Sequence, residues 1–370
     1  MKDTAGQGQG PAPRTEHVAR YYTCMERLLR LYDREARSMP CDAGGLAEYA
    51  AWKAAAREKL RELAGIDRME ACAPEPEEGE AETLEDGVTR RRVAIWTEPG
   101  VRMPMYVLKP AGQKGPAPCL LAPHGHCAGA KLAVAGRSDI PAVREQIRRF
   151  NCDYGLQLAR AGFVVFAPDA RSAGERREWT GQSDAEGAFL NSTCGQLSQM
   201  AMGLGYTVAG MWAWDLMRLI DYIETRADCD SAKLACAGLS GGGMQTLWLA
   251  ALDDRVRAAV VSGYFYGARD ALLKLSNNCS CNYVPNLWRY VDMGDIGALV
   301  APRPLLIESG TDDPLNGESG MANVRSQVAI AREAYRLFGA EGSLRHFVFE
   351  GAHRWDGTQA APFLRAALRI

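Results

Sequence analysis

One serine lies in a setting that is typical of an activated nucleophile. Residues 238–243 follow the pattern G-x-S-x-G with Ser240 at its centre, between the apolar segment 234–237 and a predicted helix beginning near Met244. A tight strand–turn–helix of this kind exposes the serine, and the helix N-terminus points backbone N–H groups at it. A glycine-rich turn that only caps a helix is the alternative. The G-x-G-x-x-G spacing of a dinucleotide site is absent. The sequence therefore predicts Ser240 as a nucleophile.

A serine nucleophile needs a base, and the sequence offers few candidates. It contains five histidines, of which only His346 and His353 follow Ser240. In the strand–turn–helix setting the chain order is serine, acid, histidine. His346 lies inside an alternating strand, where a packed or surface role is expected. His353 lies just past that strand, at the sheet edge where open α/β proteins bind ligands, and we predict it as the base.

The acid of such a site should follow the preceding strand, predicted at 304–308. Two adjacent aspartates, Asp312 and Asp313, lie in the loop after that strand. The carboxylate would accept a hydrogen bond from the histidine Nδ1–H and stabilise the imidazolium. The residues alone give only a weak preference for Asp313. The other aspartate would then be a turn residue or a helix cap.

Two backbone N–H groups are expected to form an oxyanion hole. One belongs to Gly241, the residue after the serine, and the second should come from the loop at 123–129. We assign the second donor to His126, with Cys127 as the alternative.

Metal binding is the competing use of these histidines and cysteines. His124 and His126 would need further ligands, for which Cys127 is one candidate. The close pair Cys279 and Cys281 lacks the two-residue spacing of a zinc knuckle. We therefore expect no metal site.

Composition excludes several classes of protein. The 370 residues carry 43 Lys+Arg and 45 Asp+Glu, a net charge of −2, which argues against a nucleic-acid binder. The sequence has no apolar run long enough for a membrane span, and its start lacks the apolar region of a signal peptide. Its 11 cysteines in a chain of this size suggest reduced thiols, so we expect a cytoplasmic protein.

Short apolar strands alternate with helical segments after about residue 88, which indicates a mostly parallel sheet buried on both faces. We predict an α/β fold, doubly wound, with an antiparallel hairpin at 88–96 and 103–108 leading in. The later strands are predicted at 119–123, 163–168, 234–238, 256–261, 304–308 and 345–349. The main helices are predicted at 141–161, 206–226, 242–252 and 357–369.

The chain is predicted to comprise three parts. Residues 1–14 read as a disordered tail, and 15–85 as an N-terminal helical extension, with helices at 16–38 and 46–64, followed by an acidic connector. Residues 86–370 form the catalytic domain. Two excursions, 170–205 and 276–292, interrupt its alternation, and such segments usually shape a substrate site or a lid.

Aromatic residues near the predicted strand ends are candidates for the substrate pocket. The four candidates are Trp179, Tyr264, Trp288 and Trp355. A sugar-binding platform is a hypothesis that rests on the aromatic residues of the two excursions. Burial in the core is the more common role of such residues.

The chain resembles the α/β-hydrolase superfamily and, within it, the dienelactone hydrolase-like and acetyl xylan esterase-like branch. The resemblance runs from about residue 88 to the end and is carried by six segments: 124–126, 154–171, 174–176, 238–242, 292–313 and 351–353. In that branch a proline-rich strand leads to an aspartate that precedes a proline, which implies Asp313 as the acid. The resemblance also implies the α/β-hydrolase fold and no cofactor.

The resemblance has limits. Dienelactone hydrolases use a cysteine where this chain has Ser240, and glucuronoyl esterases carry an arginine shortly after the serine, where this chain has glycines. The segments 169–171 and 174–176 resemble ones that border the site in this branch, but a structural salt-bridged turn is at least as good an interpretation.

We therefore expect a serine carboxylesterase that hydrolyses short-chain, acetyl-type esters through an acyl-enzyme, with acetylated carbohydrates as one candidate class. A small-molecule ester is the expected partner, without nucleic acid or membrane, and a homo-oligomer is left open. The alternatives are a serine peptidase or other acyl hydrolase of the same fold, and a non-catalytic binding protein of that fold.

Overall fold

Nine strands of the described chain form one mixed sheet. The computed structural model describes residues 22–126, 129–183, 185–275 and 278–370. The predicted tail, 1–14, and the alternative donor Cys127 lie outside the described residues. The strands are β1 (Glu77–Thr83), β2 (Thr89–Glu98), β3 (Val101–Lys109), β4 (Ala117–Leu121), β5 (Val164–Pro168), β6 (Cys229–Leu239), β7 (Ala258–Ser262), β8 (Leu305–Gly310) and β9 (Leu344–Phe349).

The strand order across the sheet is β1-β2-β3-β5-β4-β6-β7-β8-β9. The pairs β1/β2, β2/β3 and β3/β5 are antiparallel, and every later pair is parallel. Long apolar strands with helical crossovers favour this parallel arrangement because both faces are then buried. The predicted α/β class with antiparallel lead-in strands is confirmed.

Twelve α-helices of the described chain connect and cover these strands. They are α1 (Met25–Glu35), α2 (Leu46–Ala64), α3 (Ala130–Val134), α4 (Pro141–Phe150), α5 (Tyr154–Arg160), α6 (Cys194–Met202), α7 (Val208–Glu224), α8 (Gly241–Leu252), α9 (Leu287–Tyr290), α10 (Met293–Ala298), α11 (Met321–Leu337) and α12 (Ala360–Leu368). The predicted helix 141–161 is two helices, because Asn151 adopts a left-handed conformation with φ of 52° and ends α4.

The core consists of two apolar clusters, one on each face of the sheet. Side chains alternate along β3, so that Met105 and Val107 join the first cluster and Tyr106 and Leu108 the second. Helices α2, α7, α8, α10 and α11 contribute to the first cluster, and α3, α5 and α12 to the second. The N-terminal helix α2 thus shares the core of the sheet, through residues such as Leu60.

The acidic segment predicted as a connector is instead strand β1, at the edge of the sheet. All seven of its residues are exposed. Its backbone pairs with β2, where Glu82 lies opposite Arg90 and Glu77 opposite Ala94. Acidic side chains suit this position because they lie in solvent and can pair with the arginines of β2.

Candidate active site

Ser240 occupies the sharp turn between β6 and α8. Its φ of 59° and ψ of −121° lie in a region that residues other than glycine rarely adopt. The turn is held by a hydrogen bond in which the backbone N–H of Ser240 donates to the Ser262 carbonyl at 2.8 Å. The helix begins at Gly241, so the Gly241 amide belongs to the first turn of α8.

The turn requires glycine at two of its positions because the backbone is packed closely there. A Cβ on Gly242 would lie 2.1 Å from the Pro123 carbonyl oxygen, and one on Gly238 would lie 2.4 Å from the Gly242 carbonyl. Both distances are far below van der Waals contact. The glycines of the motif therefore let the serine turn pack against the loop after β4.

His353 and Asp313 form a hydrogen-bonded pair at the ends of β9 and β8. Nδ1 of His353 lies 2.7 Å from Oδ2 of Asp313. The other carboxylate oxygen accepts a hydrogen bond from the Leu315 backbone N–H at 2.9 Å. Asp313 is 5% exposed, whereas Asp312 is exposed to solvent. The geometry therefore favours Asp313 over its neighbour as the partner of the histidine.

The histidine ring is positioned by close packing against the backbone just after β7. A Cβ on Gly263, which follows β7 with φ of 59°, would lie 2.9 Å from Cε1 of His353. The ring therefore lies directly over the backbone of Gly263. Its side chain is 18% exposed, so it reaches solvent on one side only.

Ser240 and His353 line one cavity of about 430 Å³ at the carboxyl ends of the strands. Gly241, His126 and Tyr264 line the same cavity. Among the described lining residues there is no lysine, arginine, aspartate or glutamate. The structure thus places the residues predicted as nucleophile, base and oxyanion donors around one pocket of a size typical for small ligands.

His124 holds the loop that carries the proposed oxyanion donor. Its Nε2 accepts a hydrogen bond from the Ala170 backbone N–H at 3.0 Å, so the ring proton is on Nδ1, which donates to the Gly125 carbonyl at 2.7 Å. Complete burial lowers the pKa of His124, which keeps this ring neutral. The Gln245 amide also donates to the His124 carbonyl at 3.0 Å, which ties the loop to α8.

An imidazole and two thiols meet on one side of the cavity. Nε2 of His126 lies 2.9 Å from Sγ of Cys281, and Cys279 joins them so that the three ligand atoms all lie within 4.8 Å of one another. Hydrogen bonds from Cys194, Cys281 and His126 lower the pKa of the Cys279 thiol, whereas burial raises that of Cys281. This cluster could hold a soft metal ion.

Comparison with known proteins gives the family. A model of the Abhydrolase family matches residues 41–318. The chain belongs to this family. YtaP of Bacillus subtilis (strain 168), a protein named as a hydrolase, is 26% identical over 244 residues, which cover 64% of this chain and 76% of YtaP.

Two solved structures show the same fold as this Abhydrolase-family chain. A protein from Bacteroides fragilis NCTC 9343, named as an acetyl xylan esterase, superposes with a TM-score of 0.71 at 18% identity, covering 89% of this chain and 83% of its own. The glucuronoyl esterase from Solibacter usitatus gives a TM-score of 0.60 at 18% identity, over 90% and 97% of the two chains. The predicted resemblance to the α/β-hydrolase superfamily is confirmed.

Only one of the four predicted pocket aromatics lines the cavity of this Abhydrolase-family chain. Tyr264 does, but Trp179 is 74% exposed in the first excursion. Trp288 packs against Tyr283 with ring centroids 5.8 Å apart, away from the cavity. Trp355 is buried, and its ring packs on that of the cavity residue Tyr154, with ring centroids 4.8 Å apart. The three tryptophans therefore do not line this cavity, because sequence distance from a strand end does not fix which way a side chain faces.

Other residues that line the cavity carry no recognisable motif for this role in the sequence. Tyr154 comes from α5 and Tyr266 from the segment after β7, while Cys279 and Asn282 come from the second excursion. The position of that excursion after a strand was the signal that could have indicated the last two.

The segment after β5 is a buried salt-bridge network, as the structural interpretation predicted. Asp169 binds the ammonium group of Lys131, which also lies 2.5 Å from Glu175. Burial alone would raise the pKa of Glu175, but its hydrogen bonds to Arg92 and Lys131 lower it to about 2. The carboxylate of Asp215 lies 2.8 Å from the guanidinium of Arg171 and 2.7 Å from that of Arg176. None of these charged residues lines the cavity.

No helix in the parts of the chain that the structure describes combines the length and apolar character needed to cross a bilayer.

Proposed function

We propose that this Abhydrolase-family protein is a serine carboxylesterase that hydrolyses short-chain, acetyl-type esters through an acyl-enzyme. The observation that carries the proposal is the 2.7 Å contact between His353 Nδ1 and Asp313 Oδ2, beside a cavity that His353 shares with Ser240. A serine on a strained turn, a histidine and a buried carboxylate are the three groups that acyl transfer by a serine requires.

The proposed mechanism follows from the hydrogen bonds of the histidine. Because Nδ1–H of His353 donates to Asp313, Nε2 is the nitrogen that takes the proton from Ser240 as its oxygen attacks the ester carbonyl. The backbone N–H groups of Gly241 and His126 stabilise the oxyanion that develops. His353 then protonates the leaving alcohol, and water repeats the cycle on the acyl-enzyme.

The pocket supports a small, uncharged acyl group. Its volume is about 430 Å³, and the described lining residues offer no cation to pair with a carboxylate substituent. Glycines follow Ser240 where glucuronoyl esterases carry an arginine, so a uronic-acid substrate is disfavoured. Acetylated carbohydrates are the substrate class that we propose, supported by the structural neighbour named as an acetyl xylan esterase.

We also propose a cytoplasmic location. Support comes from the ten cysteines within the described residues, all of which are free thiols. Such a content of reduced thiols is typical of a reducing compartment.

Hydrolysis of p-nitrophenyl esters of increasing chain length tests the activity. We expect wild-type turnover to fall from acetate to octanoate and to vanish in Ser240→Ala. Ser309→Ala is the matched control, since this buried serine contacts His346 rather than the cavity. Turnover that survives Ser240→Ala contradicts the proposed nucleophile.

A fluorophosphonate probe separates an esterase from a binding protein of the same fold. We expect covalent labelling of the wild type and of Ser309→Ala, but none of Ser240→Ala. An unlabelled wild type with no turnover on any ester would favour the binding protein. If the wild type is labelled and hydrolyses esters, deacetylation of acetylated sugars, with methyl glucuronate as the comparison, tests the substrate class.

A further inference from the structure

Two segments that are remote in sequence bring three metal-binding atoms together beside the cavity. His126 lies in the loop after β4, and the two cysteines of the cluster lie in the second excursion, 278–292 in its described part. The Nε2 atom of His126 is 2.9 Å from Sγ of Cys281, across 155 positions of sequence. The Sγ atom of Cys279 completes a group whose ligand atoms all lie within 4.8 Å of one another.

The spacing of these atoms suits one tetrahedral zinc ion. With Zn–S bonds of about 2.3 Å and Zn–N bonds of about 2.1 Å, tetrahedral ligand atoms are roughly 3.5–4 Å apart. In the cluster, Nε2 of His126 and Sγ of Cys281 are 2.9 Å apart, and no two of the three ligand atoms are more than 4.8 Å apart. These separations bracket the tetrahedral spacing, so small side-chain shifts would bring the atoms to it. Two thiolates balance the charge of Zn²⁺, and a neutral imidazole adds none. This ligand set, Cys₂His, occurs in catalytic zinc sites.

Neighbouring side chains hold the three ligands in place. The Asn282 amide donates to the Cys279 carbonyl at 2.9 Å and lies 3.7 Å from Sγ of Cys281. Its carbonyl oxygen accepts a hydrogen bond from the Tyr264 hydroxyl at 2.8 Å. The ring of Trp212 packs on His126, with centroids 5.8 Å apart. Support of this kind around the ligands is typical of metal sites that bind tightly.

The fourth coordination position would face the cavity. His126 and Cys279 both line the cavity, whereas Cys281 is buried behind it. The thiol of Cys194, from the first turn of α6, is a hydrogen-bonding neighbour of both sulfurs but falls outside the compact group of three. Three protein ligands and one open position are the arrangement that allows water or another small ligand to bind.

We propose that His126, Cys279 and Cys281 form a binding site for one Zn²⁺ ion at the wall of the cavity. The proposal departs from the expectation of no metal and goes beyond the proposed esterase, whose acyl transfer needs no metal. Bound zinc would join the loop of His126 to the second excursion. It would therefore fix the loop that carries the proposed oxyanion donor.

Metal uptake by the full-length, reduced protein tests the site. After treatment with a chelator and a phosphine reductant, the protein is dialysed against Zn²⁺ and its metal content is measured by mass spectrometry. We expect about one zinc per chain in the wild type, and less than a tenth of that in Cys279→Ser and Cys281→Ser. Cys152→Ser is the matched control, because this thiol lines the same cavity outside the cluster and should keep the full uptake.

A second measurement is made on the wild type, so its outcome does not depend on how the cysteine variants fold. Co²⁺ bound by two thiolates in a tetrahedral site gives sulfur-to-metal charge-transfer bands and intense visible bands, and we expect both. Ser240→Ala should give the same spectrum, which separates this site from the proposed esterase activity. Absence of these bands, or equal zinc uptake by wild type and Cys281→Ser, would overturn the proposal.

Discussion

Three histidines of the described chain show how the surroundings of a side chain determine its use. His353 is partly exposed and hydrogen-bonded to a carboxylate, which is the environment that the proposed base requires. His124 is buried and neutral, so it serves only to hold a loop. On β9, burial lowers the pKa of His346 to about 4, and its Nε2 lies 3.2 Å from Ser309 Oγ. Its predicted role as a packed strand residue matches this environment.

Substitutions in the proposed triad should rank its members by what each one does. We expect Ser240→Ala and His353→Ala to lower kcat by ~10⁶ and Asp313→Ala by ~10⁴. The serine and histidine make and break bonds, whereas the aspartate only orients and stabilises the histidine. Steady-state hydrolysis of p-nitrophenyl acetate measures each effect.

The neighbouring aspartate supplies the control for the acid. Asp312→Asn changes an exposed side chain and should leave kcat unchanged, while Asp313→Asn should lower it strongly. Wild-type kcat in Asp313→Asn, together with a loss in Asp312→Asn, would transfer the role to Asp312.

The buried Glu308 should by itself make the free energy of unfolding depend on pH. It is fully buried in β8, and burial raises its pKa from 4.5 to about 7. Between these values the unfolded chain releases a proton that the folded protein keeps, so the free energy of unfolding falls as pH rises. The total loss is about 3 kcal/mol. Glu308→Gln should flatten this slope in urea unfolding between about pH 5 and about pH 8.

A surface glutamate tests whether that slope comes from burial. Glu318 has a side chain that is 75% exposed, so Glu318→Gln should keep the wild-type slope. If Glu308→Gln and wild type lose stability in parallel over the same range, the assignment to Glu308 is wrong.

Residues in a local sequence pattern could be predicted, whereas contacts that only the folded chain creates could not. Ser240 and His353 could be predicted because each follows a recognisable strand in a fixed chain order. The contact between His126 and Cys281 could not, because only the folded sheet brings together residues 155 positions apart. Neither residue lies in a local pattern that indicates the other.

At the scale of elements, the loop after β5 is held by buried ion pairs. Arg171 and Arg176, in the first excursion, both pair with Asp215 of α7, which is 2% exposed. The arginines hold the pKa of Asp215 well below its usual value, although burial alone would raise it. The loop after β5 is therefore fixed to the helix layer beneath it.

Loss of this central charge should destabilise the protein strongly. Asp215→Asn leaves the buried guanidinium of Arg176 without its paired carboxylate. Arg171 is left with Glu98 as its remaining partner. We expect a loss of about 3–5 kcal/mol.

Asp33→Asn is the matched control, since its side chain is 50% exposed and pairs with Arg269, which is 38% exposed, and surface pairs contribute about 0–1 kcal/mol. Urea unfolding of both variants measures the difference. Equal stability of the two would mean that the buried network contributes no more than a surface pair.

Element prediction succeeded where apolar periodicity was clear and failed where it was not. Helix α2 has the predicted bounds, and the central strands lie within a few residues of theirs. The edge strand β1 was missed because four of its seven residues are glutamates, and no buried face imposes an alternating pattern. The break after α4 depends on the left-handed conformation of one asparagine, which composition does not reveal.

At the scale of the whole molecule, the N-terminal helices and the sheet share one core. Leu60 of α2 is 1% exposed and belongs to the same apolar cluster as the strands. Leu60→Ala should therefore lower the free energy of unfolding by about 2–5 kcal/mol. Leu28→Ala on α1, where the side chain is 46% exposed, should have little effect. Denaturant unfolding followed by circular dichroism measures both free energies. If Leu60→Ala and Leu28→Ala lower the free energy of unfolding by similarly small amounts, α2 does not contribute to the core.

The glutamates of β1 have a consequence for how copies of the protein meet in a concentrated solution. An open sheet edge offers unpaired backbone groups to which a strand of another molecule could add, the first step toward aggregation. Between two such edges, glutamates such as Glu77 and Glu80 would face their counterparts and repel them. Acid that protonates these carboxylates removes the repulsion. We therefore expect light scattering to rise as the pH is lowered. In the double variant Glu77→Gln, Glu80→Gln, the same rise should already begin at a higher pH than in the wild type.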